Sequence, residues 1–533
     1  MGKQSVAVIG AGAIGLATLK NLVEEDFDVT AFDKRQSIGG VWDFSENTNY
    51  TSTLPSTISN VSKFKNCFTD FPVPDDMPVY LNSSQVHEYL QSYAAQFDLN
   101  RHIRLNTMVR KVVRSADNAK WQLHLSSENN GDEIIDYDKV VFCSGITAIS
   151  HIPEIKGIQL FTGKVIHSQA FKRPSEFARM KVLVVGLGNS AVDTCTQLAD
   201  HAEKVYVSHR HGINIVSRPC AIHIAFPRIC KGKPLDFHIS RRDEGLKHML
   251  DAFVPRLSRK LHDWRVQQLT TESFDLDPAW RIHPPPSILT HQPTISDSFI
   301  NCLQDGSVTS VAGIRSFVGG DRIELEDGSV IAADAVIFCT GYVPDFNLIH
   351  GFDITNGSTM SNLRHNSPFP RLYQNIFSPD YPESMAFLNN WAYTVGVFPI
   401  ADLASMAIAQ VWKGAFSLPP KDEMNREIDA HYNWLGSVAK GDTLYPGMVQ
   451  EGPWLHWLND AAGTGVNENL GFGLKGWIFW LRNPRFCNVL MGELASVHAF
   501  RLFNGRRKKW DGAKEAVLRA NENAKLYLNT KVG

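Results

Sequence analysis

KVLVVGLGNSA, Lys181 to Ala191, decides how this chain folds. Its first five residues read as a buried strand. GLGNSA, Gly186 to Ala191, then turns into a helical pattern that runs to about Asp200. A second strand follows, KVYVS from Lys204 to Ser208, and after it His209-Arg210. Strand, glycine turn, helix and strand set a pyrophosphate on a helix N-terminus. Gly186, Gly188 and Ala191 hold the fingerprint places, with Asn189 and Ser190 between them. Ala in the third place leaves slightly more room between helix and strand. No acid ends the second strand, where one would select a ribose 2′-hydroxyl. Ser208 and Arg210 offer a hydroxyl and a guanidinium instead, which suit a 2′-phosphate. This site reads as one for NADP(H).

The extreme N-terminus carries the same unit. SVAVI (Ser5 to Ile9) is a buried-type strand, and GAGAIG (Gly10 to Gly15, with Ala13 and Ile14) matches GxGxxG. Ala13 to Glu24 reads as the helix and Asp28 to Phe32 as the second strand. Asp33 ends that strand, placed to accept hydrogen bonds from ribose hydroxyls. IGGVW, Ile38 to Trp42, follows soon after, and its Gly39 and Gly40 would let backbone amides approach the same pyrophosphate. Two further buried strands end in small residues. Lys139 to Cys143 runs into Ser144-Gly145, and Ala335 to Phe338 into Cys339-Thr340-Gly341-Tyr342. Two dinucleotide sites in one polypeptide suggest electrons passing from one cofactor to another.

The chain has 533 residues, enough for two or three domains. Hydrophobic residues make up 43% and charged residues 20%, as in soluble globular proteins. A formal net charge of −2 gives no sign of a nucleic-acid partner. None of the 8 cysteines forms a CxxC pair, so neither a zinc ribbon nor a redox dithiol is indicated, and no metal is expected. Scattered free thiols, no leader and no membrane span give a cytoplasmic expectation. Trp477, Phe479 and Trp480, in a polar tail, read as buried packing, with association at a surface as the alternative.

Between the units, Tyr50 to Pro74 has no clear period and reads as loop; it holds Asn60 in the stretch SNVSK. Ile103 to Val113, Trp121 to Leu125 and Glu133 to Tyr137 read as a meander, and Thr309 to Phe317 as a strand. Ile213 to about Ser310 reads as an irregular, Pro-rich insertion. Its charge run, Arg241, Arg242 and Lys247 with Asp243 and Glu244, reads as a solvated face. The tail is mostly helical. The fold class is α/β, with two Rossmann-like dinucleotide-binding domains and a mostly helical C-terminal region. The first domain takes residues 1–160 and 335–533, and the second residues 161–334. The substrate pocket is expected between the insertion and residues after Ser384.

Taken together, GAGAIG, IGGVW, FTGKVIHSQAF (Phe161 to Phe171), GLGNSA and FCTGY (Phe338 to Tyr342) resemble the class B flavin-dependent monooxygenases. Within them the chain is similar to the flavin-containing monooxygenases, over most of residues 1–415. Their FxGxxxHxxx(Y/F) pattern falls on Phe161, Gly163, His167 and Phe171. The resemblance implies FAD in the first unit, at Gly10, Gly12, Gly15 and Asp33 with Gly39, Gly40 and Trp42 nearby. It implies NADPH in the second, at Gly186, Gly188, Asn189, Ser190, Ser208 and Arg210. Ala13, Ile14, Lys34, Val41, Val109, Ser144, Gly145, His167, Ala191, Thr340, Gly341 and Tyr342 complete the implied cofactor-binding set. Asn60 matches the family asparagine beside the flavin and is the one catalytic candidate. The implied reaction uses dioxygen: reduced flavin traps it as a C4a-hydroperoxide, and a nitrogen or sulfur nucleophile of a small molecule takes the distal oxygen. Phe171 lacks the hydroxyl of the commoner Tyr, and the animal members' apolar tail is missing. Baeyer–Villiger oxygenation of a ketone and an NADPH oxidase releasing hydrogen peroxide remain alternatives. A homodimer is compatible with the sequence.

Overall fold

The computed structural model describes residues 2–127, 131–219, 234–355, 369–389, 396–439, 444 and 447–530. Short β-branched runs become two five-stranded parallel sheets, one per unit. The first runs Met385–Phe387, Lys139–Phe142, Ser5–Ile9, Asp28–Phe32, Ile103–Arg104. The second runs Val308–Val311, Lys204–Ser208, Lys181–Val185, Ala335–Phe338, Lys164–His167. In the first, Ile9 pairs with both Phe32 and Phe142; in the second, Val185 pairs with both Ser208 and Phe338. Each central strand thus ends level with its neighbours, and the glycine turns open into the crevice beyond the strand ends.

Each unit also carries a three-stranded antiparallel meander, Thr107–Arg114 with Trp121–Ser127 and Gly131–Tyr137 in one, Ile314–Gly319 with Arg322–Leu325 and Val330–Ala332 in the other. Two runs read as single strands are split between sheets. Ile103–Arg104 joins the parallel sheet, and the chain breaks at Asn106, which has φ of +50°, before entering the meander. Val308–Val311 pairs in the parallel sheet, and Gly313 separates it from Ile314–Gly319. Hydrophobic alternation cannot mark such a change of partner, because both halves stay half-buried.

The boundary expected at residue 335 moves. Ala335–Phe338 sits inside the second sheet, between Lys181–Val185 and Lys164–His167. The chain leaves the first unit through Ile149–Ser150 and returns through Tyr342–Val343, and these two crossings pair antiparallel. The insertion is not irregular throughout. Ser240 caps Arg241–Phe253 in a reciprocal box with Asp243, and Pro255 opens Pro255–Thr271. Proline density misled the reading here, since Pro255 starts a helix and breaks none.

Val397–Trp412 is largely apolar, apart from Asp402, Ser405 and Gln410, and is buried along nearly its whole length, packed against Ala13–Glu24. Trp477 and Trp480, expected in the core, are 55% and 43% exposed, while Phe479 packs edge-on to Phe503. No helix among the described residues is long and apolar enough to cross a membrane. The described cysteines are free; Cys220 and Cys230 lie outside the described residues.

Candidate active site

The two glycine turns are built alike. Gly10 and Gly186 have φ of +110° and +117°, a region that disfavours side chains. A Cβ on Gly10 would stand 2.6 Å from the Cys143 carbonyl oxygen, and one on Gly186 2.8 Å from that of Cys339. Gly12 and Gly188 are extended N-caps to Ala13–Glu24 and Asn189–Ala199, and neither helix has a side-chain cap. Their foremost N–H groups are therefore left for an anion, except that of Ala191, which donates to the Gly188 carbonyl at 2.9 Å. The third place differs for a reason. A Cβ on Gly15 would lie 1.9 Å from the Gly10 carbonyl oxygen, so only glycine fits. Ala191 fits fully buried at the matching place, so the second helix stands slightly farther from its turn.

Gly39 and Gly40 close the first cradle. Gly39 donates its N–H to the Ala11 carbonyl at 3.0 Å, and a Cβ on Gly40 would reach 3.0 Å from Gly12 Cα. Two glycine backbones thus face each other with no side chain between them. Asp33 anchors the floor: its carboxylate accepts the Ala11 and Arg35 backbone N–H groups at 2.8 and 2.9 Å. Burial pushes its carboxyl above the ordinary value, and those two donors oppose the push. At the other strand end, Ser208 is buried and its hydroxyl donates to the Ala312 carbonyl at 2.8 Å. Arg210 beside it is exposed.

Asn60 stands on the loop that meets the second unit. Arg218, itself buried, reaches across: Nε donates to the Ser59 carbonyl at 3.1 Å, and Nη2 to the Ile58 carbonyl and Asn60 Oδ1, both at 3.0 Å. Nη1 pairs with Asp297 at 2.8 Å. A guanidinium only donates, so the Asn60 oxygen is committed to Arg218 and its two N–H donors are left for other partners.

FTGKVIHSQAF joins the two units. Lys164–His167 is an edge strand of the second sheet. Beyond it, Gln169 and Lys172 bind the first unit's loop at Asn49, Tyr50, Thr51 and Ser52. His167 is buried, accepts the Gln169 backbone N–H at Nδ1, and meets Tyr342 edge-on at 4.9 Å. Burial lowers its pKa to about 4, so the ring is neutral. Thr340 donates to the His151 carbonyl. These residues form the crossing between units. Phe171 is buried against Phe177, where a hydroxyl would need a partner.

The family model for flavin-binding monooxygenase-like proteins matches residues 3–533. The chain belongs to this family. It is 39% identical over 528 residues to "monooxygenase aurF" of Gibberella zeae, covering 98% of each chain. It is 31% identical over 553 residues to "dimethylaniline monooxygenase [N-oxide-forming] 2" of Pan troglodytes, covering 99% of this chain and 94% of that one. Its fold matches cyclohexanone monooxygenase from Rhodococcus sp. Phi1 bound to NADP+, with a TM-score of 0.61, 18% identity, and coverage of 89% and 98%. This protein is an FAD-dependent monooxygenase that draws on NADPH.

One cavity of about 1240 Å³ runs through this monooxygenase, larger than a single drug-sized ligand needs. Gly10, Gly12, Ala13, Ile14, Asp33 and Lys34 line it, as do Gly39 to Trp42, Asn60, Val109, Ser144 and Gly145. From the second unit Asn189 reaches it; Gly186, Gly188, Ser190, Ala191, Ser208 and Arg210 stand apart from it, as do Gly15, His167, Thr340, Gly341 and Tyr342. The uncapped first helix, the facing glycines and the buried acid fit FAD: the cradle is one that any Cβ would fill. The second uncapped helix with Arg210 exposed beyond it fits NADPH.

The cavity also reaches residues the sequence reading missed. Glu244, Lys247, His248 and Asp251 line it, so part of the supposed solvated run faces inward, while Arg242 stays exposed. Their spacing of three, four and seven residues marks one helix face, a signal that charge alone concealed. Leu388, Val397 and Phe398 come from the expected region after Ser384, and Lys65 and Asn66 from the Asn60 loop.

Proposed function

We propose that this monooxygenase oxygenates a nucleophilic nitrogen or sulfur centre of a small molecule. The observation that carries the reading is Asn60 on the cavity wall, with its oxygen taken by Arg218 and its N–H donors left free of that bond. Bound FAD, reduced by NADPH, supplies the activation of dioxygen. The first glycine cradle with Asp33 holds the FAD, and the second helix N-terminus with Arg210 holds NADPH. Asn60 donates an N–H toward the reacting oxygen without giving up a proton. Val41, Trp42, Leu388 and Phe398 keep water from that end of the cavity. A soft nucleophile needs no base to attack, so no acid–base pair is assigned. The N-oxide-forming relative supports the same class of chemistry.

The test follows NADPH consumption with amines, thioethers and ketones, each with hydrogen peroxide measured alongside. Product from amines or thioethers, with little peroxide, is the expected result. Turnover of ketones alone would establish Baeyer–Villiger chemistry, and peroxide alone an oxidase.

A further inference from the structure

A polar cluster stands on the same cavity wall, a few residues from Asn60, where neither cofactor cradle uses it. Lys65 is only 3% exposed, and its Nζ lies 3.7 Å from Glu244 Oε1, an ion pair too long for a hydrogen bond. Asp236 accepts the Ser62 backbone N–H on Oδ2 at 2.8 Å, while its Oδ1 is buried with no hydrogen bond within range, the Ser62 hydroxyl beside the carboxylate being unpaired as well. Asn66 Oδ1 is likewise buried and unpaired, beside Gly396. All four side chains line the cavity. Two buried acceptors are therefore left without a donor, and the Lys65 ammonium on the same wall holds only its long ion pair with Glu244, an arrangement that costs free energy unless a ligand completes it.

We propose that Lys65, Asn66, Asp236 and Glu244 anchor a neutral hydroxyl group of the substrate. The chemistry follows from the inventory. A hydroxyl accepts one hydrogen bond and donates one, so it can take the Lys65 N–H and give its own to Asp236 Oδ1 or Asn66 Oδ1. Charge balance selects a neutral group. Lys65 and nearby Arg241 are matched by Asp236 and Glu244, and a further buried charge would stand unpaired. Burial already presses on this balance, pushing the Lys65 ammonium down and the Asp236 carboxyl up. A purely apolar substrate would leave both acceptors bare and the Lys65 ammonium with Glu244 alone. The proposal rests on the oxygenase reading for the identity of the cavity, but binding alone can test it. The ribose hydroxyls of NADPH share this chemistry, so cofactor binding is measured in parallel.

The experiment uses the FAD-loaded protein and two matched pairs, thioanisole with 4-(methylthio)phenol and 2-(methylthio)naphthalene with 6-(methylthio)-2-naphthol. Dissociation constants come from the change in flavin absorbance on titration. The hydroxylated member of at least one pair should bind about tenfold more tightly, the worth of one net hydrogen bond. In Lys65→Met and in Asp236→Asn that ratio should fall to about one. Flavin content reports folding, and if one variant fails to fold the other still decides. A ratio near one in the wild type, or one that survives both substitutions, overturns the anchor. Loss of the ratio together with NADPH affinity assigns the cluster to the cofactor's ribose and overturns its substrate role. If the ratio holds but no sulfide is oxygenated, the anchor stands and the proposed reaction fails.

Discussion

Asn60 looks like an ordinary loop residue until Arg218 is placed beside it. With Oδ1 held by the guanidinium, the amide has one orientation, and in the proposed function Arg218 acts through it as a positioning residue. Asn60→Ala and Arg218→Ala should each raise the ratio of peroxide to product, by roughly tenfold for a lost donor worth about 1–3 kcal/mol. The double variant should be no worse than Asn60→Ala, because both changes remove one interaction. Additive effects would show that Arg218 acts elsewhere, for example through Asp297. Arg210 is a second residue-scale case. With Ser208's hydrogen given to Ala312, the guanidinium is left as the charged group for a 2′-phosphate. Arg210→Ala should weaken NADPH about tenfold to a hundredfold and leave NADH little changed. Titration of both cofactors checks it, and equal losses would refute the 2′-phosphate contact.

At the scale of elements, one methyl group separates the two glycine turns. Gly15→Ala would drive a Cβ into the Gly10 carbonyl oxygen, so the helix must shift and the cradle open. The variant should purify with little FAD and lose about 1–3 kcal/mol of stability. The converse change, Ala191→Gly, should cost about 0.5–1 kcal/mol in the helix yet leave NADPH binding in place. Flavin content and denaturant midpoints would separate the two. GxGxxG against GxGxxA, and the extra room it implies between helix and strand, was legible in the letters; that the Gly10 carbonyl oxygen is what denies Gly15 a methyl group was not. The elements misread share a cause as well. Thr309 to Phe317 changes sheets at Gly313, and Ile103 to Val113 changes at Asn106. Local pattern records burial and says nothing of which strand is the partner.

Across the whole molecule, the tail is tied to the first unit by buried charge. Arg501 pairs with Asp70 at 3.0 Å and Asp402 at 3.1 Å, and Lys20 also pairs with Asp70. The four residues come from four distant parts of the chain, and all are buried. Arg501→Leu would leave Asp402 buried without its cation and Asp70 with Lys20 alone, and should cost about 3–5 kcal/mol, read from urea unfolding. Burial alone would raise the Asp70 pKa, but Arg501 and Lys20 outweigh it and hold it below the ordinary value. The sign follows: the folded state binds this proton less readily than the unfolded chain. Its contribution is complete above the unfolded value of about 4 and is lost as the pH falls through the lower folded value. Stability of the wild type should therefore drop below about pH 4, and Arg501→Leu should lose that part of the acid dependence. An identical acid limb in both proteins would place the acid response in other groups.

The sequence by itself determined the two nucleotide units and their chain order, and it gave the expectation of which cofactor each takes. Those properties reside in short contiguous runs: a strand, three small residues and the residue at the next strand's end. It also determined the family, because GAGAIG, IGGVW, FTGKVIHSQAF, GLGNSA and FCTGY are each local. Only the tertiary structure decided what meets across the chain. Arg218 reaches Asn60 from 158 residues away, and Arg501 reaches Asp70 and Asp402. The helix Arg241–Phe253 turns a charged face inward toward Lys65. Charged side chains read alone are assigned to water, since burying one unpaired is costly. Their partners lie far off in sequence, and the pairing that offsets burial appears only when the chain has folded.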